Sequence, residues 1–346
     1  MPQEPDQASE AARSLRSRFD LSEFAPVLTL AALLVFFSFS GKAFFHSGTI
    51  TQVLEQGAVL GIVSAGLTFV LLCGEIDLSV GFMALWSACL CGVLFKSLGA
   101  VGKASEQADP STAVVAIVIL LPLITAVVLG FLSGVLTITS RLPSFIITLS
   151  MMYIAYGLAL YLTKSEQYRM PWLIERIGNG GFAVTRSLKI PHSAVLAAGI
   201  LVVAHLVLQY TRFGRYVYMT GGNREAARLA GVRTDRIVVA SLALCALTAG
   251  LGGLVNAGRL GSVTLDQNAD LLLNAVACVV LGGTSLFGGE GGIPRTVVGV
   301  LTLSVLKVGL DKINWIDNYM RTFLLGVVLL GALVLNGLLA RRRKVH

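Results

Sequence analysis

Charge is scarce in this chain. Only 13% of its 346 residues are Asp, Glu, Lys or Arg, roughly half the ~25% usual in a soluble globular domain. A soluble domain with an ordinary hydrated surface is therefore excluded. Catalytic constellations are also missing. The four histidines, His46, His192, His205 and His346, are scattered, and neither H-E-x-x-H nor a nucleophile elbow occurs. There is no G-x-x-x-x-G-K-[ST], so the chain is not expected to hydrolyse ATP by itself. The five cysteines, Cys73, Cys89, Cys91, Cys245 and Cys278, all lie in apolar segments at spacings that suit no metal site. Their odd number and setting make them small core residues, and no metal is expected. The net charge of +8 would suggest nucleic acid in a soluble chain. Here it fits the cytoplasmic enrichment of Lys and Arg in membrane proteins, and no nucleic-acid partner is expected.

What the chain has is apolar length. Hydrophobic residues make up 55%, in recurring runs of about 20, enough to cross about 30 Å of hydrocarbon. A β-barrel would instead show short alternating segments. The expected fold class is all-α: a polytopic membrane helical bundle of about ten transmembrane helices, with re-entrant or broken segments. The candidate spans are about 25–45, 55–73, 78–95, 113–138, 143–162, 193–211, 237–257, 271–288, 295–311 and 321–340. A tail over 1–23, a transmembrane domain over 24–340 and a basic tail over 341–346 leave no room for a separate soluble domain. The first run is too long for the apolar part of a signal peptide. An even number of spans puts both termini on one side. The basic tail and the six arginines of 212–236 then make that side the cytoplasm. The long outer loop 163–192 has room for a surface helix or a re-entrant segment.

Three segments carry functional signals. In Gly74–Gly81 (G-E-I-D-L-S-V-G), two carboxylates stand at the junction of two apolar runs, which is costly unless they are capped, paired or wet. Asp77 reads as an N-cap for the following helix; lining of a solute path with Ser79 and a proton relay are the alternatives. In Leu281–Gly292 (L-G-G-T-S-L-F-G-G-E-G-G), six glycines in twelve residues rule out an ordinary helix. Irregular backbone in a bilayer is tolerated only where it is buried in protein or faces water. The segment therefore reads either as a broken helix on a transport path, with Thr284 and Ser285 offering hydroxyls, or as a tight cytoplasmic turn. In the third, Asn223 caps a short helix that ends at Gly231, and Glu225 suits its positive start. Ala226, Ala227 and Ala230 make a small-residue face, Leu229 an apolar contact, and Arg224 and Arg228 supply charge. This helix reads as a docking element; its apolar side is too poor for a helix lying on lipid headgroups. Elsewhere, Lys307 and Asp311 are spaced to pair on one helix face or to snorkel.

These residues resemble a known family: the permease subunits of bacterial ABC importers for monosaccharides, the ribose-type branch. Gly74–Gly81 is similar to that branch's G-G-I-D-L-S-V-G, with Glu75 in place of a glycine. T-R-F-G-R-Y-V-Y-M-T-G-G-N-R-E-A-A-R-L-A-G-V over 211–232 and L-G-G-T-S-L-F-G-G-E-G-G over 281–292 match two further motifs. Leu142–Leu149 and Arg259–Ser262 fit as well, so the similarity runs from about 50 to 335. After Gly292, Ile-Pro-Arg departs from the usual smaller run. The resemblance implies a bacterial cytoplasmic (inner) membrane protein, and a pore of two permease copies, a homodimer. Two separate ATPase subunits would use ATP and Mg, and a solute-binding protein would deliver a monosaccharide or related polyol from outside. The chain itself would bind no cofactor. Asn223, Arg224, Glu225, Ala226, Ala227, Arg228, Leu229, Ala230 and Gly231 would form the coupling helix seated in the ATPase. Candidate pathway residues are Asp77, Ser79, Asn274, Thr284, Ser285 and Phe287. Arg169, Arg176, Arg186 and Lys189 are candidates to dock the binding protein. A permease for branched-chain amino acids or nucleosides, or an ion-coupled secondary transporter, is the alternative reading.

Overall fold

The computed structural model describes residues 21–40, 44–98, 112–185, 188–268, 270–313 and 316–343. Residues 1–20 and 344–346, which hold most of the two expected tails, and Arg186 lie outside the described residues. Thirteen helices occur among the described residues: α1 (Leu21–Ser40), α2 (Ser47–Leu72), α3 (Val80–Ser97), α4 (Thr112–Ser140), α5 (Ser144–Thr163), α6 (Trp172–Asn179), α7 (His192–Tyr210), α8 (Arg212–Gly222), α9 (Arg224–Leu229), α10 (Thr234–Leu260), α11 (Leu271–Leu281), α12 (Ile293–Asp311) and α13 (Asn318–Arg343). Helix α13 runs through Arg343, so the expected basic tail begins inside a helix.

Seven described helices (α2, α3, α4, α5, α7, α10 and α12) are long and apolar enough to cross a membrane, and shorter apolar stretches lie in α1, α11 and α13. The buried share of each apolar window sorts these seven into two groups. It is 67–72% in α2, α3, α10 and α12, but only 22–28% in α4, α5 and α7. The first four form the centre, and the other three present apolar flanks outward. Helix α10 is the central spine, packing against α2, α3, α4 and α6. It achieves this with small residues: a Cβ on Gly253 would run into the Ala84 carbonyl of α3, and one on Gly134 of α4 would sit 2.7 Å from Val239 Cα. With lipid as apolar as leucine, such close backbone approach is what holds membrane helices together.

Helix α11 corrects the expected span over 271–288. It has 11 residues and stops at Leu281, giving about 16 Å at 1.5 Å per residue, half of what a crossing needs. Gly282 ends it, and Gly283 follows with φ +94°. Its other end is preceded by a polar, non-helical stretch over 264–268.

The connections collect at two ends. At one end, 73–79, 141–143, α8–α9 and 282–292 come together. At the other, the expected outer loop folds into α6 and two short antiparallel ladders. There β1 (Tyr168–Arg169) pairs with β4 (Ser262–Val263), and β2 (Gly181–Ala183) with β3 (Lys189–Pro191). Glu166 at this end meets Lys96, the basic residue closing α3, at 3.3 Å.

Candidate functional site

The α9 end is built from short, polar, glycine-bearing connections that lock into one another. Gly289 donates its N–H to the Leu72 carbonyl at 3.0 Å. A Cβ on Gly221 would strike that same carbonyl, and one on Gly288, at φ +91°, would lie 2.8 Å from the Gly221 oxygen. Only glycine allows three backbones to approach this closely. The Tyr218 hydroxyl donates to the Gly291 carbonyl at 2.9 Å, tying α8 to the glycine-rich loop. From α5, the Ser144 and Thr148 hydroxyls accept the N–H groups of Ile76 and Leu78 at 3.0 and 3.1 Å.

Helix α9 sits on this platform. Asn223 caps it, its side-chain oxygen accepting the Ala226 N–H at 2.9 Å; Glu225 lies in the first turn. Gly231 at φ +83° turns the chain away. Two arginines staple the helix to its own chain. Arg224 Nη1 lies 2.7 Å from Glu75 Oε1, and Arg228 Nη2 lies 2.6 Å from Asp235 Oδ1. The expected small-residue face is thereby corrected. Ala227 is only 2% exposed, packed with Val217, Val232 and Ile237. The outward side carries Glu225, Ala226, Leu229 and Ala230, with Leu229 at 87% exposure. Arg224 and Arg228 direct the rotation, because their acids lie on the chain side. At the same end Phe287, at the tip of the glycine-rich loop, is 90% exposed.

The pathway candidates do not form one cluster. Asp77 and Ser79 are buried, and Asp77 Oδ1 accepts both the Ser79 N–H at 2.9 Å and the Ser79 hydroxyl at 2.6 Å. The N-cap of α3 is Ser79 rather than Asp77, so Asp77 closes a turn before the helix instead of capping it. Burial pushes its carboxyl above the ordinary range, against the lowering pull of the Ser79 bonds. Thr284 and Ser285 spend their hydroxyls inside the glycine-rich loop, on the N–H groups of Gly292 and Phe287. Phe287 points out of the bundle.

Asn274 stands apart from these. It lines a cavity of about 480 Å³ between α2, α11, α12 and α13, together with Gln56, Asp270, Lys307, Asp311 and Arg321. The expected Lys307–Asp311 pair is not made; Asp311 is instead 3.3 Å from Arg321 at the start of α13. The sequence singled out Asn274, Lys307 and Asp311 separately but had no signal that they share a cavity, because its walls come from segments more than 200 residues apart.

At the α6 end, Arg169 and Arg176 are exposed, and Lys189 donates to the Asn179 carbonyl at 2.6 Å. Trp172, Phe182 and Val184 are also exposed there, at 47%, 60% and 55%. These apolar contacts were not anticipated.

Comparison with known proteins puts this architecture in context. Residues 49–333 match the family model described as branched-chain amino acid transport system / permease component. A ribose import permease of Escherichia coli is 33% identical over 91% of this chain and 94% of its own. A fructose import permease of Rhizobium meliloti is 29% identical, covering 90% and 83%. A xylose/arabinose import permease of Sulfolobus acidocaldarius is 28% identical, covering 91% and 84%. No solved structure matches the chain. With the family model spanning both ends of the bundle and a relative one-third identical along nine-tenths of the chain, this protein belongs to the transport-system permease components, in the company of sugar import permeases.

Proposed function

We propose that the chain is the membrane subunit of an ATP-binding-cassette importer. It would move a monosaccharide or related polyol by alternating access, in the bacterial inner membrane, with the α9 end in the cytoplasm and about ten helices crossing or entering the bilayer. The observation that carries this reading is α9: a six-residue helix, capped and stapled to its own chain, that presents Leu229 to a partner. A separate ATPase using ATP and Mg would receive it. A solute-binding protein would dock on the α6 end, where Arg169 and Arg176 flank Trp172 and Phe182. A second copy would cover one of the apolar flanks of α4, α5 or α7.

The family model's description favours a second reading, in which the cargo is a branched-chain amino acid. The named import permeases of ribose, fructose and xylose/arabinose weigh towards sugar. Reconstitution into proteoliposomes tests the proposal. Uptake should require the ATPase, internal ATP and the binding protein together. Uphill uptake by the purified chain alone, driven by a proton or sodium gradient, would remove it.

A further inference from the structure

The cavity between α2, α11, α12 and α13 has the makings of a site. Its volume of about 480 Å³ falls within the range of ligand pockets. Asn274 is 7% exposed, yet among the described residues no hydrogen bond or ion pair engages the side chains of Asp270, Asn274 or Lys307. Gln56 is held in place from outside the cavity, accepting from Arg259 Nη1 at 3.0 Å. The depth is also telling. Helix α11 begins with Leu271, about 16 Å from the α9 end, near the middle of a bilayer about 30 Å thick, and by the same rise Lys307 on α12 and Gln56 on α2 lie about 21 and 24 Å from that end. The cavity therefore runs from the midplane toward the α6 end, and broken helices that start near the midplane border the solute sites of transporters.

Charge narrows the ligand. The lining holds two acids, Asp270 and Asp311, and two bases, Lys307 and Arg321. Their sum is zero, so neither a phosphorylated nor a cationic solute gains from the site. Asp311 already meets Arg321, and Asp270 and Lys307, of opposite charge, both line the cavity. A zwitterion would set two full charges against Asp270 and Lys307 and be held tightly, whereas a solute in transit must also leave. A neutral solute with several hydroxyls makes weaker contacts, giving to Asp270 and accepting from Lys307 and Asn274. Leu273 and Leu325 supply apolar wall for the C–H face of such a molecule.

We propose that this cavity binds a neutral, polyhydroxylated solute in the α6-side half of the membrane, with Asn274, Asp270 and Lys307 as its hydrogen-bonding groups; this rests on the sugar-import reading above. The test uses the complete transporter in proteoliposomes, with ribose, xylose, fructose, xylitol and leucine as probes. Asn274→Leu and Lys307→Met are compared with the unmodified chain at matched incorporation. Asn274→Cys is labelled with a membrane-impermeant thiol reagent, with and without the carried solute. The expected result is uptake of at least one neutral probe, a roughly tenfold or greater loss in both variants, matching the loss of a hydrogen bond to a charged or buried group, and solute-dependent protection of position 274. Absence of that protection overturns the assignment of the cavity whatever the uptake, and leaves the import reading standing. Carriage of leucine in place of the neutral probes, or of no neutral probe, overturns the sugar reading and the ligand class with it.

Discussion

At the residue scale, two carboxylates at the α9 end of the bundle have found different solutions. Glu75 is neutralised by Arg224 at 2.7 Å, so the charge that replaces a glycine in the resembling motif becomes a fastener for α9. Asp77 is satisfied locally by Ser79. Its burial favours the uncharged form, so a neutral side chain with the same acceptor should serve. Asp77→Asn is expected to change stability by less than about 1 kcal/mol. Asp77→Leu, which strands the buried N–H and hydroxyl of Ser79, should cost about 1–3 kcal/mol. Thermal unfolding in detergent, with uptake at matched expression, separates the two; equal loss would mean that the charge itself is required. The Asx turn at Asp77 was half legible. An acid followed by Leu-Ser-Val marks a helix start, but whether the acid or the serine two residues on takes the cap depends on backbone geometry that spacing does not carry.

At the scale of elements, α9 shows how far a pattern reaches. Its limits were readable from Asn223 and Gly231, because caps are local chemistry. Its rotation was not, because Glu75 and Asp235, distant in sequence or across a turn, decide which side faces the bundle. A substitution at Ala227 therefore reports on internal packing, whereas one at the exposed Leu229 tests the proposed docking. Leu229→Asp is expected to reduce ATP-driven uptake about tenfold or more while the bundle unfolds at its usual temperature. Ala227→Trp should lower that temperature. Pull-down of the ATPase by each variant checks the distinction, and normal retention by Leu229→Asp would contradict it. Helix α11 teaches the complementary lesson. Apolarity alone extended it to residue 288, but the paired glycines after Leu281 stop it sooner, and the length that remains is half a crossing.

For the molecule as a whole, the membrane class and seven of the ten expected spans were legible, because apolar runs of that length suit a bilayer. The long loop over 163–192 was legible only as length. Its helix α6 nests against α10, where Gly178 and Gly258 permit backbone contact, a relationship no local pattern reveals. The two ends of the bundle divide labour by chemistry: leucine and phenylalanine stand out at one, arginine and tryptophan at the other. Reversing Arg169 and Arg176 to Glu together should slow uptake most at low ionic strength, since attraction between exposed charges is screened within about 8 Å at 0.15 M salt. A salt titration of uptake checks this. An unchanged salt profile would assign the docking to Trp172 and Phe182 instead.

The half-length of α11 has an electrical consequence. With the α6 end outside, as proposed, water entering the cavity from that side would carry the external potential inward with it. The voltage that elsewhere falls over the full hydrocarbon thickness would be compressed into the remaining ~16 Å. An ion crossing that thin dielectric would exchange about 2.3 kcal/mol with the membrane for every 100 mV, but an uncharged passenger exchanges none. Import of such a passenger through this shape would be electrically silent, its rate set by ATP and indifferent to the membrane voltage.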